Sequence, residues 1–122
     1  MDKHLLLSLF HIALVIPFFL YIGFQRAATP EWIYNVLFGL GLLLLVYHGS
    51  KAIVRLVAKS PGAWINLIHV FVMAPLMLYI GYTGKKTQRP AYEMLLMVAF
   101  AGLGYHLKNL IVSTQTFLKE DD

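Results

Sequence analysis

Four long apolar runs, separated by short polar turns, dominate the pattern of positions along this chain. They extend from about Leu5 to Phe24, from Trp32 to about Val54, from Trp64 to Tyr82 and from Tyr92 to about Val112. Each run is close to the roughly 20 residues that an α-helix needs to cross a bilayer. Because lipid offers no hydrogen-bond partners to the backbone, the pattern predicts four transmembrane helices.

The second half of the chain repeats the chemistry of the first half at a shift of 58 residues. Between Leu9 and Val54 this register gives 15 identities in 46 aligned positions. The matches include infrequent and chemically distinct types, namely His11, Pro17, Tyr21, Gly23, Tyr34, Tyr47 and His48. A self-match at a fixed period indicates a repeated supersecondary unit. We therefore expect two tandem two-helix repeats, at residues 1–58 and 59–122, that together form one domain, an all-α integral membrane four-helix bundle.

The composition agrees with a lipid environment and excludes several kinds of site. Hydrophobic residues make up 59% of the chain and charged residues 13%, which is more apolar surface than a soluble domain of this size buries. The lack of cysteine excludes disulfides, thiolate metal sites and iron–sulfur clusters. The net charge of +4 comes without a basic stripe with interleaved aromatics, so no nucleic-acid partner is expected. The expected partners are the lipid bilayer and either a second copy of the chain or another membrane protein.

The number of spans predicts the relative direction of the two repeats, and the distribution of Lys and Arg predicts the side on which the chain ends lie. Two spans per repeat give both repeats the same direction, so that they are parallel and related by an axis along the membrane normal. Both chain ends then share a side with the loop between the second and third helices. That side carries six of the ten Lys and Arg residues, which favours termini in the cytoplasm. Because the first run aligns with the third, we expect it to be a transmembrane helix rather than a cleaved signal peptide.

Aromatic, proline and glycine positions predict how the helices are placed and packed. Trp and Tyr at the span ends are typical of an aromatic belt, and they are Trp32, Trp64, Tyr21, Tyr34, Tyr79, Tyr82 and Tyr92. Pro17 and Pro75 lie inside the first and third helices, and each is expected to kink its helix. Gly39 and Gly41 in the second helix are expected to allow close helix packing.

Four repeated histidines form the candidate site. They are His11, His48, His69 and His106, and the helical rise places all four at one depth, near one side of the predicted bundle. Neutral imidazole is the commonest protein ligand for Zn, Cu, Fe and Ni. Two histidines can also hold a haem in a bundle core. We expect these histidines to bind a metal ion or a haem, with Tyr47 and Tyr105 as supporting partners of the rings.

Two other functions remain open on the sequence alone. The histidines and tyrosines could line a path for protons, ions or small solutes, in one chain or in a homo-oligomer. Alternatively, the repeats could serve a structural or assembly role without a cofactor, with each imidazole bonded to a neighbouring side chain or to the backbone. The spans carry no mid-membrane carboxylate, and no nucleophile–base pair is visible, so no catalytic residue is predicted.

Overall fold

The computed structural model describes residues 3–121, apart from the side chains of His4 and Asp121, and within this range it contains helices and turns but no strand. The α-helices are α1 (Lys3–Phe10), α2 (Ile16–Gln25), α3 (Glu31–Val57), α4 (Ala63–Ile68), α5 (Ala74–Thr83) and α6 (Arg89–Asp121). Two π-turns, His11–Val15 and His69–Met73, connect α1 to α2 and α4 to α5. Two 3₁₀ turns, Arg26–Ala28 and Gly84–Lys86, follow α2 and α5. The all-α class is therefore confirmed.

Four helical stretches are long and apolar enough to cross a membrane, as the pattern of apolar runs predicts. They are Leu5–Ala28, Glu31–Val57, Ala63–Lys86 and Arg89–Glu120. The helical backbone continues past the predicted ends near Val54 and Val112, because hydrogen bonding along the helix does not stop where the side chains become polar. At about 1.5 Å per residue, α6 is about 50 Å long, against about 30 Å for the hydrocarbon core of a bilayer.

The two prolines are accommodated by a π-turn that directly precedes each of them. The N–H of Ile16 bonds to the carbonyl of His11, and the N–H of Ala74 bonds to the carbonyl of His69, five residues back in both cases. Proline has no N–H, and its ring collides with the carbonyl four residues earlier in a continuous α-helix. With the wider turn in place, Pro17 and Pro75 lie in the first turns of α2 and α5, where a missing N–H matters little.

The chain divides into two compact units. The central unit is Gln25–Tyr92, and the terminal unit combines Met1–Phe24 with Glu93–Asp122.

In the central unit α3 packs along α4, the second π-turn and α5. A Cβ built on Gly81 would lie only 2.7 Å from the backbone nitrogen of Phe38, so the α3 and α5 backbones approach each other closely at this point. Gly41 also packs against α5, whereas Gly39 has nothing within 4 Å, so only one of the two glycines predicted for packing has that role.

A hydrogen-bonded tyrosine pair lies at the end of the central unit where α3 begins. Tyr34 and Tyr92 are buried, and their hydroxyl oxygens lie 2.7 Å apart. The Tyr34 hydroxyl donates to the carbonyl of Arg26 at 2.6 Å. The one proton of the Tyr92 hydroxyl faces two acceptors, the Tyr34 oxygen at 2.7 Å and the carbonyl oxygen of Gly84 at 3.2 Å. The belt prediction is wrong for these two tyrosines. The other five aromatic residues of the predicted belt are exposed, as a belt requires.

The close contact at Gly81 predicts a stability difference between two glycine substitutions. Gly81→Ala should lower the free energy of unfolding in detergent micelles by about 1–3 kcal/mol, because the new methyl group meets the α3 backbone rather than a movable side chain. The matched control, Gly39→Ala on the facing helix, should leave stability unchanged or raise it by up to about 1 kcal/mol through helix propensity. Equal effects of the two variants would contradict the packing described for α3 and α5.

Candidate functional site

The structure brings the four predicted histidines together as two stacked pairs. In the central unit the rings of His48 and His69 lie with their centroids 4.1 Å apart and their planes 11° from parallel. In the terminal unit the rings of His11 and His106 lie 4.4 Å apart at 17°. Each pair joins a histidine that opens a π-turn to one on a long α-helix. The common layer of four imidazoles stays a prediction.

The histidine that opens each π-turn is anchored to the backbone of its own helix. The Nδ1 atom of His11 lies 2.8 Å from the carbonyl oxygen of Leu7, and that of His69 lies 2.7 Å from the carbonyl oxygen of Ile65. A carbonyl oxygen only accepts hydrogen bonds, so Nδ1 carries the proton in both rings. The lone pair of each neutral imidazole therefore lies on Nε2. A hydrogen bond of this kind orients the histidine ligands of metal sites.

His48 is held by a polar chain of side chains. Its Nδ1 atom lies 2.8 Å from Nδ2 of Asn66, a residue that is only 3% exposed. A guanidinium nitrogen of Arg55 lies 2.7 Å from Oδ1 of the same amide. That nitrogen also lies 3.5 Å from the carbonyl oxygen of Gly62. The last turn of α3 thereby connects the positive charge of Arg55 to the His48 imidazole through one buried amide of α4.

His106 has a smaller partner in the terminal unit. Its Nδ1 atom lies 3.3 Å from the hydroxyl oxygen of Ser8, which is 2% exposed. Ser8 and Asn66 both stand three residues before the histidine of their π-turn, and they are 58 residues apart. Identity between the two halves does not reveal either residue, because the aligned types differ. The signal for both is polarity within an apolar run at the same place in each half.

The two predicted supporting tyrosines make ring contacts with the site. The ring of Tyr47 meets His48 edge-on at 5.0 Å, and that of Tyr105 meets His106 at 5.3 Å. A lysine ammonium lies over each tyrosine ring, with Nζ of Lys51 5.8 Å from the Tyr47 centroid and Nζ of Lys108 5.4 Å from the Tyr105 centroid. These tyrosines therefore flank the imidazoles and offer a cation–π surface to the adjacent lysines.

The pairing of the histidines limits how many protein nitrogens a metal ion could bind at one place. Each pair brings two imidazoles from two helical segments to one place, and a neutral imidazole contributes one lone pair to a metal ion. Within residues 3–121, apart from the side chains not described, no group of three or more His, Asp or Glu side chains is arranged to hold a metal ion. A metal held here would therefore take two protein nitrogens from a pair and complete its coordination with other ligands.

The buried amide predicts a large effect on stability. Asn66→Leu keeps the size of the side chain but leaves the Arg55 guanidinium and Nδ1 of His48 without this partner. We expect the free energy of unfolding in micelles to fall by about 1–3 kcal/mol. Asn35→Leu, at an exposed position of α3, is the control and should not destabilise the protein. An Asn66→Leu variant as stable as the control would show that the polar chain is not formed.

Comparison with known proteins does not assign this arrangement to a family. The sequence has no significant match among protein-family models, curated proteins or solved structures.

Proposed function

We propose that the chain is an integral membrane protein that binds a transition-metal ion, of the copper or zinc class, through its paired imidazoles. In this proposal two tandem two-helix repeats run parallel in one four-helix bundle, with the termini in the cytoplasm. The candidate ligands are the imidazoles of His11, His48, His69 and His106, and Tyr47 and Tyr105 are supporting partners of the rings.

Local geometry that recurs 58 residues apart supports the repeat. The π-turns begin at His11 and His69, and the 3₁₀ turns begin at Arg26 and Gly84. Arg26 and Gly84 both have a positive φ, of 51° and 56°. An arginine in this conformation is unfavourable by about 1–2 kcal/mol, so its recurrence at the same place argues for a shared backbone design.

The observation that carries the metal-binding proposal is the backbone anchor of His11 and His69. In both rings Nδ1–H donates to a carbonyl oxygen, which leaves the lone pair on Nε2 and fixes the ring plane. Each anchored ring opens a π-turn, and π-bulges are frequent at functional sites. A histidine that served only as an apolar filler would need neither the anchor nor a second imidazole against its face.

Each pair holds its two imidazoles as close neighbours, with ring centroids 4.1 and 4.4 Å apart. The lone pairs of stacked rings lie in parallel planes, so binding of a shared ion requires one ring of the pair to turn about its Cβ–Cγ bond. That ring would be His48 or His106, since the other ring of each pair is anchored to the backbone of its own helix. Imidazole nitrogen suits Cu, Zn, Fe and Ni, and Cu²⁺ binds a given site most tightly among these divalent ions.

A transmembrane conduit is less well supported by the central unit. Leu37 and Ile80 are completely buried, and along their helices they lie between the histidine pair and the tyrosine pair. These buried apolar side chains separate the polar groups at the two ends of the central unit, which disfavours a continuous path of water or polar groups for protons or ions.

The metal-binding proposal is tested by elemental analysis and an absorption spectrum of the protein extracted in mild detergent. We expect a stoichiometric amount of copper or zinc, and a reduced amount in a His11→Ala variant, because one of two ligands is lost. His4→Ala is the control, since His4 has a glycine at the aligned position and lies outside the repeated set. A haem band in the spectrum would identify the cofactor as haem. A folded, colourless and metal-free protein would refute cofactor binding and favour the assembly role.

A further inference from the structure

We propose that Arg55, with Lys51 and Lys59 on either side of it in the chain, binds the phosphate of an anionic phospholipid at the end of α3. The inference rests on the membrane placement proposed above and is independent of metal binding. It follows from the way Arg55 is held, from the lack of an acidic partner in the central unit, and from the residues at the aligned positions in the terminal unit.

Arg55 is held in place by neutral groups. Its Nη1 atom lies 2.7 Å from Oδ1 of Asn66, an amide that is 3% exposed, and 3.5 Å from the carbonyl oxygen of Gly62. A Cβ built on Gly62 would lie 3.6 Å from the same nitrogen, so the loop backbone passes close to the guanidinium. Both bonds use one nitrogen of the planar fork. The donors on Nε and Nη2 therefore remain for a second acceptor, in the geometry that suits a phosphate.

No acidic residue of the central unit is close enough to neutralise Arg55. The sequence contains no Asp or Glu between Trp32 and Tyr92. Glu31 opens α3 at its other end, about 36 Å from Arg55 at the rise of an α-helix. A cation without an acid within reach takes its counter-ion from outside the chain, and at the end of a membrane span lipid phosphates supply it.

Two lysines extend the positive charge around Arg55. Lys51 lies one turn earlier on the same face of α3, and the exposed Lys59 follows the helix end with a φ of 55°. The carbonyls at the end of a helix normally disfavour an anion. Here the N–H groups of Lys59 and Ser60 donate to the carbonyls of Leu56 and Arg55, so these oxygens are already engaged. The charge that this end of α3 presents is therefore positive.

The apolar neighbours of Arg55 favour a lipid over a free phosphate. Val54 and Val57 belong to the same last turns of α3, and both are exposed. A phospholipid can place its phosphate on the cations and an acyl chain along these side chains, which adds buried apolar area to the electrostatic attraction. A soluble phosphate would gain only the attraction to the cations.

The terminal unit lacks these cations at the aligned positions. Asn109, Ser113 and Phe117 stand where Lys51, Arg55 and Lys59 stand in the first half. Lys108 lies over the ring of Tyr105 as Lys51 lies over the ring of Tyr47. The terminal unit therefore offers a matched control, a lysine in the same kind of tyrosine contact but without the held arginine one turn later.

Native mass spectrometry of the protein in mild detergent tests the site. The protein is mixed with equal amounts of phosphatidylglycerol and phosphatidylcholine that carry identical acyl chains. We expect the native chain to retain phosphatidylglycerol at least about ten-fold over phosphatidylcholine, and Arg55→Gln, Lys51→Gln and Lys59→Gln each to lower this preference about five-fold. Lys108→Gln removes the same charge and should leave the preference unchanged. If Arg55→Gln does not fold, the two lysine variants decide the outcome.

Two further arms separate a placed guanidinium from general attraction and a lipid from a free anion. Arg55→Lys keeps the charge but loses the fork that reaches both Asn66 and a phosphate, so the preference should again fall about five-fold. A native preference in this variant would show general attraction and overturn the site. Inorganic phosphate in excess should not displace the bound lipid. Displacement would identify a soluble phosphate as the ligand and overturn the lipid assignment.

The remaining outcomes separate the inference from the function proposed above. Equal retention of the two lipids by a folded native chain, or an equal loss in Lys108→Gln and Lys51→Gln, would overturn the inference and leave metal binding in place. A metal-free chain that still prefers phosphatidylglycerol would refute metal binding and support the lipid site. A native chain that stays soluble after detergent removal would refute the membrane placement on which both depend.

Discussion

In an apolar helical protein, a buried polar group has to find its hydrogen-bond partner inside the chain, and this constraint organises the structure. The Tyr34 and Tyr92 hydroxyls bond to each other and to turn carbonyls. The Asn66 amide uses both ends, one for Arg55 and one for His48. An unpartnered group in such surroundings is unfavourable by several kcal/mol, so these bonds fix side-chain orientation.

The same constraint links the prolines to the histidines. Pro17 and Pro75 cannot continue an α-helix, and the wider turn before each of them begins at His11 and His69. The side chain of the first residue in that turn then returns its Nδ1–H to a carbonyl four residues back. The proline, the wider turn and the anchored imidazole therefore lie within one short stretch of each helix. Because the histidine, the π-turn and the proline lie in one short stretch, a duplication of that stretch would copy all three together.

Features that depend on composition and period could be predicted from the sequence, and features that depend on orientation could not. Apolar length predicts the four helices, and the 58-residue shift predicts which histidines are equivalent. Tyr34 and Tyr92 look like belt residues, since position along a span does not say which face a ring takes. Gly39 and Gly41 are only two residues apart, so they point to different sides of α3, and contacts differ accordingly. Ser8 and Asn66 stand at aligned positions but are not identical, because a hydrogen bond to the histidine ring requires a polar side chain there and not one particular residue type.

The central claim is that the four histidines form two face-to-face pairs, each joining different helical segments. The chain contains five histidines, so selective labelling of their rings gives a spectrum that can be assigned completely. Nuclear Overhauser effects between ring protons in detergent micelles test the claim directly. The account predicts cross-peaks between His48 and His69, and between His11 and His106, in the metal-free protein. Well-resolved ring signals with no cross-peak within either pair would contradict it.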